Sequence, residues 1–184
     1  MTEIAIKKTS VQAKAITAAT AVVSAVALPQ IFHMIGKISG TGAVPGTMFL
    51  PMHLPVLLAA LLGGPVVGVV TGALSPIISF LLSGMPTAAL MPFMVIELAA
   101  YGLFGGLLSR TRMPVFAQLL LTQTGGRVVR FAAIFLAIHA FGVTSIKMDT
   151  FQSLVVMSIP GILLQWAFIP LLMYRMKGLK KYYD

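Results

Sequence analysis

Long apolar runs, broken at intervals by Gly, Pro and charge, dominate the chain, and their lengths decide what they can form. They fall at about residues 13–35, 52–63, 65–83, 90–108, 114–141 and 151–174. A helix rises 1.5 Å per residue, so roughly 20 apolar residues cross a hydrocarbon core about 30 Å thick. All but the second run meet that length. The second opens at Pro51-Met52-His53 and closes at Gly63-Gly64-Pro65. It is expected either to start in the headgroup region or to tilt little while the preceding loop dips in. The pattern predicts an all-α membrane protein with six transmembrane helices.

Basic residues then set the orientation, because cytoplasmic flanks carry the excess of Lys and Arg. Lys7, Lys8 and Lys14 flank the first run, Arg110 and Arg112 separate the fourth from the fifth, and Arg175, Lys177, Lys180 and Lys181 follow the sixth. Only Lys37 and Lys147 fall on the other side. Both termini are therefore expected in the cytoplasm, as basic tails at about 1–14 and 175–184 around a single transmembrane domain, 1–184. A second reading takes residues 1–27 as a signal peptide ending Ala25-Val26-Ala27, which leaves five spans and satisfies the same charge count. Apolar character continuing through Leu28, Ile31, Phe32, Met34 and Ile35 favours a retained helix. The outer loop at about 36–51, with Gly40, Gly42, Pro45 and Gly46, is a candidate lid. The turn Ser83-Gly84-Met85-Pro86-Thr87 is the second outer loop.

Composition narrows the classes further. The chain is 58% hydrophobic and 9% charged, with 12 Met, 11 Phe, 17 Gly and four acidic residues, and its mean hydropathy is +0.98. Six spans in 184 residues leave only short loops and tails, with no room among them for a soluble catalytic or nucleotide-binding domain. The net charge of +9 does not point to nucleic acid, because the basic residues flank apolar runs instead of forming a patch with interleaved aromatics. Without Cys, disulfides and thiolate chemistry are excluded. No GxxxxGK[ST], GxSxG or HExxH motif occurs, so neither ATP binding by that route nor hydrolysis has sequence support. No catalytic residue is named.

The candidate chemistry lies inside the spans. Arg127 and Arg130 sit in an apolar stretch, where an arginine at mid-bilayer costs roughly 2.5–3.5 kcal/mol and so faces a bundle interior, a water-filled cavity or a counter-charge. Their spacing of three puts both on one helix face, with Gln123 one turn before Arg127. Glu97 is the sole acidic residue within a span, and Tyr101 follows one turn later. Counted from the outer helix ends, Glu97 lies roughly 10 Å deep, Arg130 about 15 Å and Arg127 about 20 Å. A pair between Glu97 and either arginine is possible. Two arginines against one glutamate leave a positive charge that suits a planar carboxylate. A purely structural ion pair, with Arg127 on backbone carbonyls at Thr124-Gly125-Gly126, is the alternative.

His33, His53 and His139 all map near outer helix ends, and His53, beside the lid, is the one best placed for a ligand. None has a carboxylate or second His at i+3 or i+4, so no metal site is expected. Gln165 and Trp166 fall deep in the last span after Pro160-Gly161. They suit core packing, or a flat pocket wall with the indole N–H as donor. Small residues recur four apart at Ala15 and Ala19, Ala21 and Ala25, Gly64, Gly68 and Gly72, and Gly102 and Gly106, which lets helices approach closely. The alanines offer a smooth face on the first helix for another membrane subunit.

Several of these motifs occur together in one order. Met52-His53-Leu54-Pro55-Val56-Leu57-Leu58, Gly63-Gly64-Pro65, Gly68, Gly72, Ser75-Pro76, Gly84-Met85-Pro86, Glu97-Leu98-Ala99-Ala100-Tyr101-Gly102 and Gly126-Arg127 resemble the substrate-binding S component of energy-coupling factor transporters, over about Lys14–Tyr174. The resemblance implies a six-helix protein of the bacterial plasma membrane that captures a vitamin from outside in a pocket under the first loop. It implies no ATPase in this chain: a transmembrane T component and two cytoplasmic ATPase subunits, using ATP and Mg, supply the energy. Ala15, Ala19, Ala21 and Ala25 match the alanine motif that meets the T component, in duplicate.

The pattern is most like the pantothenate branch, which would make Arg127, Arg130, Glu97, His53, Tyr101, Gln123 and Trp166 the substrate-binding set. Pyridoxine-like compounds, hydroxymethylpyrimidine, niacin, folate, queuosine precursors and cobalamin are the alternatives. A stand-alone proton-coupled secondary transporter, with Glu97 carrying the proton, is the main rival of another class. An intramembrane enzyme and a purely structural subunit are two more.

Overall fold

A computed structural model describes residues 2–144 and 148–176 of the chain. Lys147 and the basic residues Lys177, Lys180 and Lys181 lie outside the described residues. The described residues are helical with no strand: α1 (Thr2–Ile38), α2 (Val44–Phe49), α3 (His53–Ser83), α4 (Met91–Leu108), α5 (Val115–His139), α6 (Met148–Met157) and α7 (Ile159–Arg175). Four helical stretches among them are long and apolar enough to cross a membrane: Val11–Ile38, Val44–Ser83, Met91–Leu108 and Val115–His139. The apolar α7, with 17 residues, is shorter than these.

The distribution of side chains is inverted relative to a water-soluble protein. Val23, Val66, Leu81 and Leu82 are each more than two-thirds exposed, whereas His53, Glu97, Gln118, Gln123, Arg130 and Gln165 are buried. Such a surface needs lipid, and such an interior needs internal partners for every polar group. The chain is a helical membrane protein.

The short second run and the third form one helical element, α3, interrupted at Gly64 with φ 83° and ψ −173°. The interruption reverses the chain. In a straight helix Ala60 and Gly68 would stand about 12 Å apart, yet a side-chain carbon on Gly68 would lie 2.8 Å from the Ala60 methyl. Glycine takes the positive φ, and Pro65, which needs no N–H partner, restarts the helix. The segment before Gly64 therefore runs parallel to α4, with His53 beside Tyr101 and Ala60 beside Gly105. The segment after it runs antiparallel to α4, with Gly68 against Gly102 and Gly72 against Leu98, backbone to backbone.

The α5 helix packs on the other flank of α4. Ala21 and Ala25 of α1 are buried against α3, Ala21 beside Ala59 and Val67. The run expected as one helix over 151–174 is broken instead at Ser158, because Pro160 removes a donor and favours a helix start. Arg110 lies near the Gly64 turn, at the end of α4 opposite the cavity described next.

Candidate functional site

A cavity of about 250 Å³ opens between the start of α4, the loop before α3 and the α3–α4 turn. Its floor carries Glu97, Arg127, Arg130 and His53. Two loops supply the roof: Gly46, Thr47 and Leu50 from the segment before α3, Met85, Pro86 and Thr87 from the α3–α4 turn. Within the expected 36–51 lid loop lies α2, which packs on α1 through Phe49 and Phe32, with ring centres 5.5 Å apart, and through Gly46 against His33. A third contributor, α6 with Leu154, Val155 and Ser158, follows from the break at Ser158. No sequence signal other than Pro160 announces it.

The two arginines have different partners. Arg130 Nη1 donates to Glu97 Oε2 at 2.5 Å, and Tyr101 donates from its hydroxyl to Glu97 Oε1 at 3.3 Å. His53 Nε2 stands 3.8 Å from Glu97 Oε2, too far for a hydrogen bond. Gly126 makes this arrangement possible, because any side chain there would overlap the Tyr101 ring. Arg127 Nη2 instead donates to the hydroxyl of Ser158 at 2.8 Å, a neutral partner. The Glu97 carboxylate is already taken by Arg130 and Tyr101. One guanidinium charge in the cavity is thus unmatched by any carboxylate lining it.

A second polar network lies beside the cavity without lining it. Gln123 Nε2 donates to Gln165 Oε1, and Trp166 Nε1 donates to Gln123 Oε1, each at 2.7 Å. Gln165 Nε2 reaches the carbonyl of Leu50 at 3.4 Å. Leu50 ends α2 with φ 48°, a left-handed conformation that a branched side chain adopts only when neighbours hold it. The Trp166 ring packs edge-on to Phe116 at 5.2 Å. These groups tie α5, α7 and the end of α2 together.

Of the residues expected to bind substrate, Arg127, Arg130, Glu97 and His53 line the cavity, Tyr101 backs Glu97, and Gln123 and Trp166 stand apart in the second network. His33 lines the cavity, whereas His139 is exposed against Phe135. Sequence reasoning missed Ser158 and Ser79. Both are cavity-lining serines that only the packing singles out. No metal-binding cluster of His, Cys, Asp or Glu occurs among the described residues. No protein-family model, curated protein or solved structure matches the chain.

Proposed function

We propose that the chain is the substrate-capture S component of an energy-coupling factor type importer in a bacterial plasma membrane, and that its cargo is a small vitamin carboxylate, pantothenate first among them. One observation carries the reading: Arg127 sits in a membrane-embedded cavity with only a neutral serine as partner, while the Glu97 carboxylate is engaged by Arg130. An anionic ligand supplies the missing charge, and a guanidinium grips a planar carboxylate through two parallel hydrogen bonds. A cavity of about 250 Å³ falls just below the roughly 300–1,000 Å³ of most small-molecule sites, which favours a single small vitamin over cobalamin or folate.

On this reading six segments cross the membrane: α1, the two arms of α3, α4, α5, and α6 with α7. Both termini face the cytoplasm with Lys14, Arg110, Arg112 and Arg175, and the cavity faces outward beside Lys37. The chain performs no catalysis. A T component and two ATPases, with ATP and Mg, drive release inside, and no nucleic acid is involved. Ala15 and Ala19 are exposed on α1 whereas Ala21 and Ala25 are buried, so the first pair is the one that meets the T component. Native mass spectrometry of the chain purified without added vitamin, followed by calorimetric titration with pantothenate, tests the reading. Retained pantothenate in the wild type, and affinity lowered about tenfold to a hundredfold in Arg127→Ala, are expected. Equal affinity in the two proteins would overturn the role given to Arg127.

A further inference from the structure

Thr71, Ser75, Ser79 and Ser83 recur every fourth residue along α3. Three of them satisfy their hydroxyls within the helix: Thr71 donates to the carbonyl of Val67 at 2.8 Å, Ser75 to that of Thr71 at 2.6 Å, and Ser83 to that of Ser79 at 2.8 Å. Ser79 breaks the pattern. Its hydroxyl has no hydrogen-bond partner although the residue is 1% exposed, and it lines the cavity. His53, a lining residue at the level of Glu97 and 2% exposed, likewise leaves both ring nitrogens without a hydrogen bond. Burial of a polar group without a partner is unfavourable, and the carbonyl of Ser75 offers Ser79 a local remedy that it does not take.

The position of these groups matters as much as their lack of partners. Because Gly68 faces Gly102 and Gly72 faces Leu98, Ser79 falls near the level of Met91, roughly 9 Å further from the Gly64 turn than Glu97 is. Arg127 lies on the opposite flank of α4 and, with Gly126 against Tyr101, slightly deeper than Glu97. The unmatched cation and the unpartnered hydroxyl thus stand at two ends of one cavity.

We propose that Ser79 forms a second anchoring point for a hydroxyl group at the end of the ligand remote from its carboxylate. A hydroxyl both donates and accepts, and so does the serine hydroxyl that would meet it. The site therefore selects extended hydroxylated monocarboxylic acids over acids of similar size without the hydroxyl. The inference rests on the reading that Arg127 holds the carboxylate. The Ser79→Ala variant is a small, helix-favouring change that leaves the bond from Ser83 to the backbone intact.

Calorimetric titration of the full chain in detergent, wild type and Ser79→Ala, with three probes separates the two ideas. The probes are pantothenate, its counterpart lacking both hydroxyls, and panthenol, in which an alcohol replaces the carboxylate. The wild type is expected to prefer pantothenate to the deoxy acid about tenfold. Ser79→Ala is expected to bind the two acids within about twofold of each other, while both proteins still reject panthenol. A Ser79→Ala protein that keeps the wild-type preference for the hydroxylated acid overturns the second anchor and leaves the carboxylate reading standing. A wild type that binds panthenol as well as pantothenate, or binds none of the three, overturns the carboxylate reading and this inference with it.

Discussion

The half of the α3–α4 pair toward the Gly64 turn, the inner half, and the half around the cavity, the outer half, are built from the same two helices, yet they solve opposite problems. Toward the Gly64 turn, Gly68 meets Gly102 backbone to backbone, and the hydroxyls of Thr71 and Ser75 are consumed by their own helix. Toward the other end the pair encloses a cavity, where Ser79 and His53 have unpartnered polar atoms and Glu97 is held by Arg130 from α5. The difference teaches where each kind of free energy is kept. Close packing and internal hydrogen bonds stabilise the inner half, whereas the outer half leaves polar groups unsatisfied around the cavity.

That contrast is sharpest within the outer half, between the two arginines. Arg130→Ala should leave Glu97 buried without its cation and lower stability by about 3–5 kcal/mol, read as a large drop in unfolding temperature in detergent. Arg127→Ala, which loses only a neutral partner, should cost about 1 kcal/mol and act chiefly on binding. Equal destabilisation by the two changes would break the division into a structural and a ligand-facing arginine.

The next largest effect belongs to the inner half. In Gly102→Ala the added methyl overlaps the Gly68 carbonyl, and we expect a loss of about 1–3 kcal/mol in spite of alanine's better helix propensity. Ligand affinity measured well below the unfolding temperature should stay unchanged. A selective loss of binding in that variant would mean the seam and the cavity are coupled.

The smallest effect is expected on the open face of α1. Ala19→Leu should shift stability by no more than about 0.5 kcal/mol, because the residue is exposed. Ala25→Leu, at a position 0% exposed, should cost about 1 kcal/mol or more by overpacking. Assembly with a T component should be lost in Ala19→Leu, and a complex that forms normally would remove the docking role from that pair.

Much of the helical layout is legible in the sequence. Apolar runs bounded by Gly, Pro and charge mark α1, α4 and α5 to within a few residues, except where α1 extends further at its amino-terminal end. The spacing of Arg127 and Arg130, with Glu97 as the one acid available, marks a buried polar site. Other features depend on packing. The chain alone left open which arginine Glu97 meets, since one helical turn separates the candidates and rotation of α5 decides. Nothing in the pattern distinguishes Ser79 from Ser75 and Ser83, which share its spacing. The break at Ser158 hides in a run whose apolar character continues on both sides.

Hydrophobic periodicity and charge bias are one-dimensional properties, so the sequence by itself determined that this is a helical membrane protein with buried ionic residues: transfer free energy depends on side-chain type and run length alone. Only the tertiary structure decided which polar groups neutralise one another and which are left facing a cavity. Hydrogen bonds and ion pairs reach about 3 Å, and groups far apart along the chain come within that distance only once the Gly64 reversal and the close glycine seam have fixed how α3, α4 and α5 sit together.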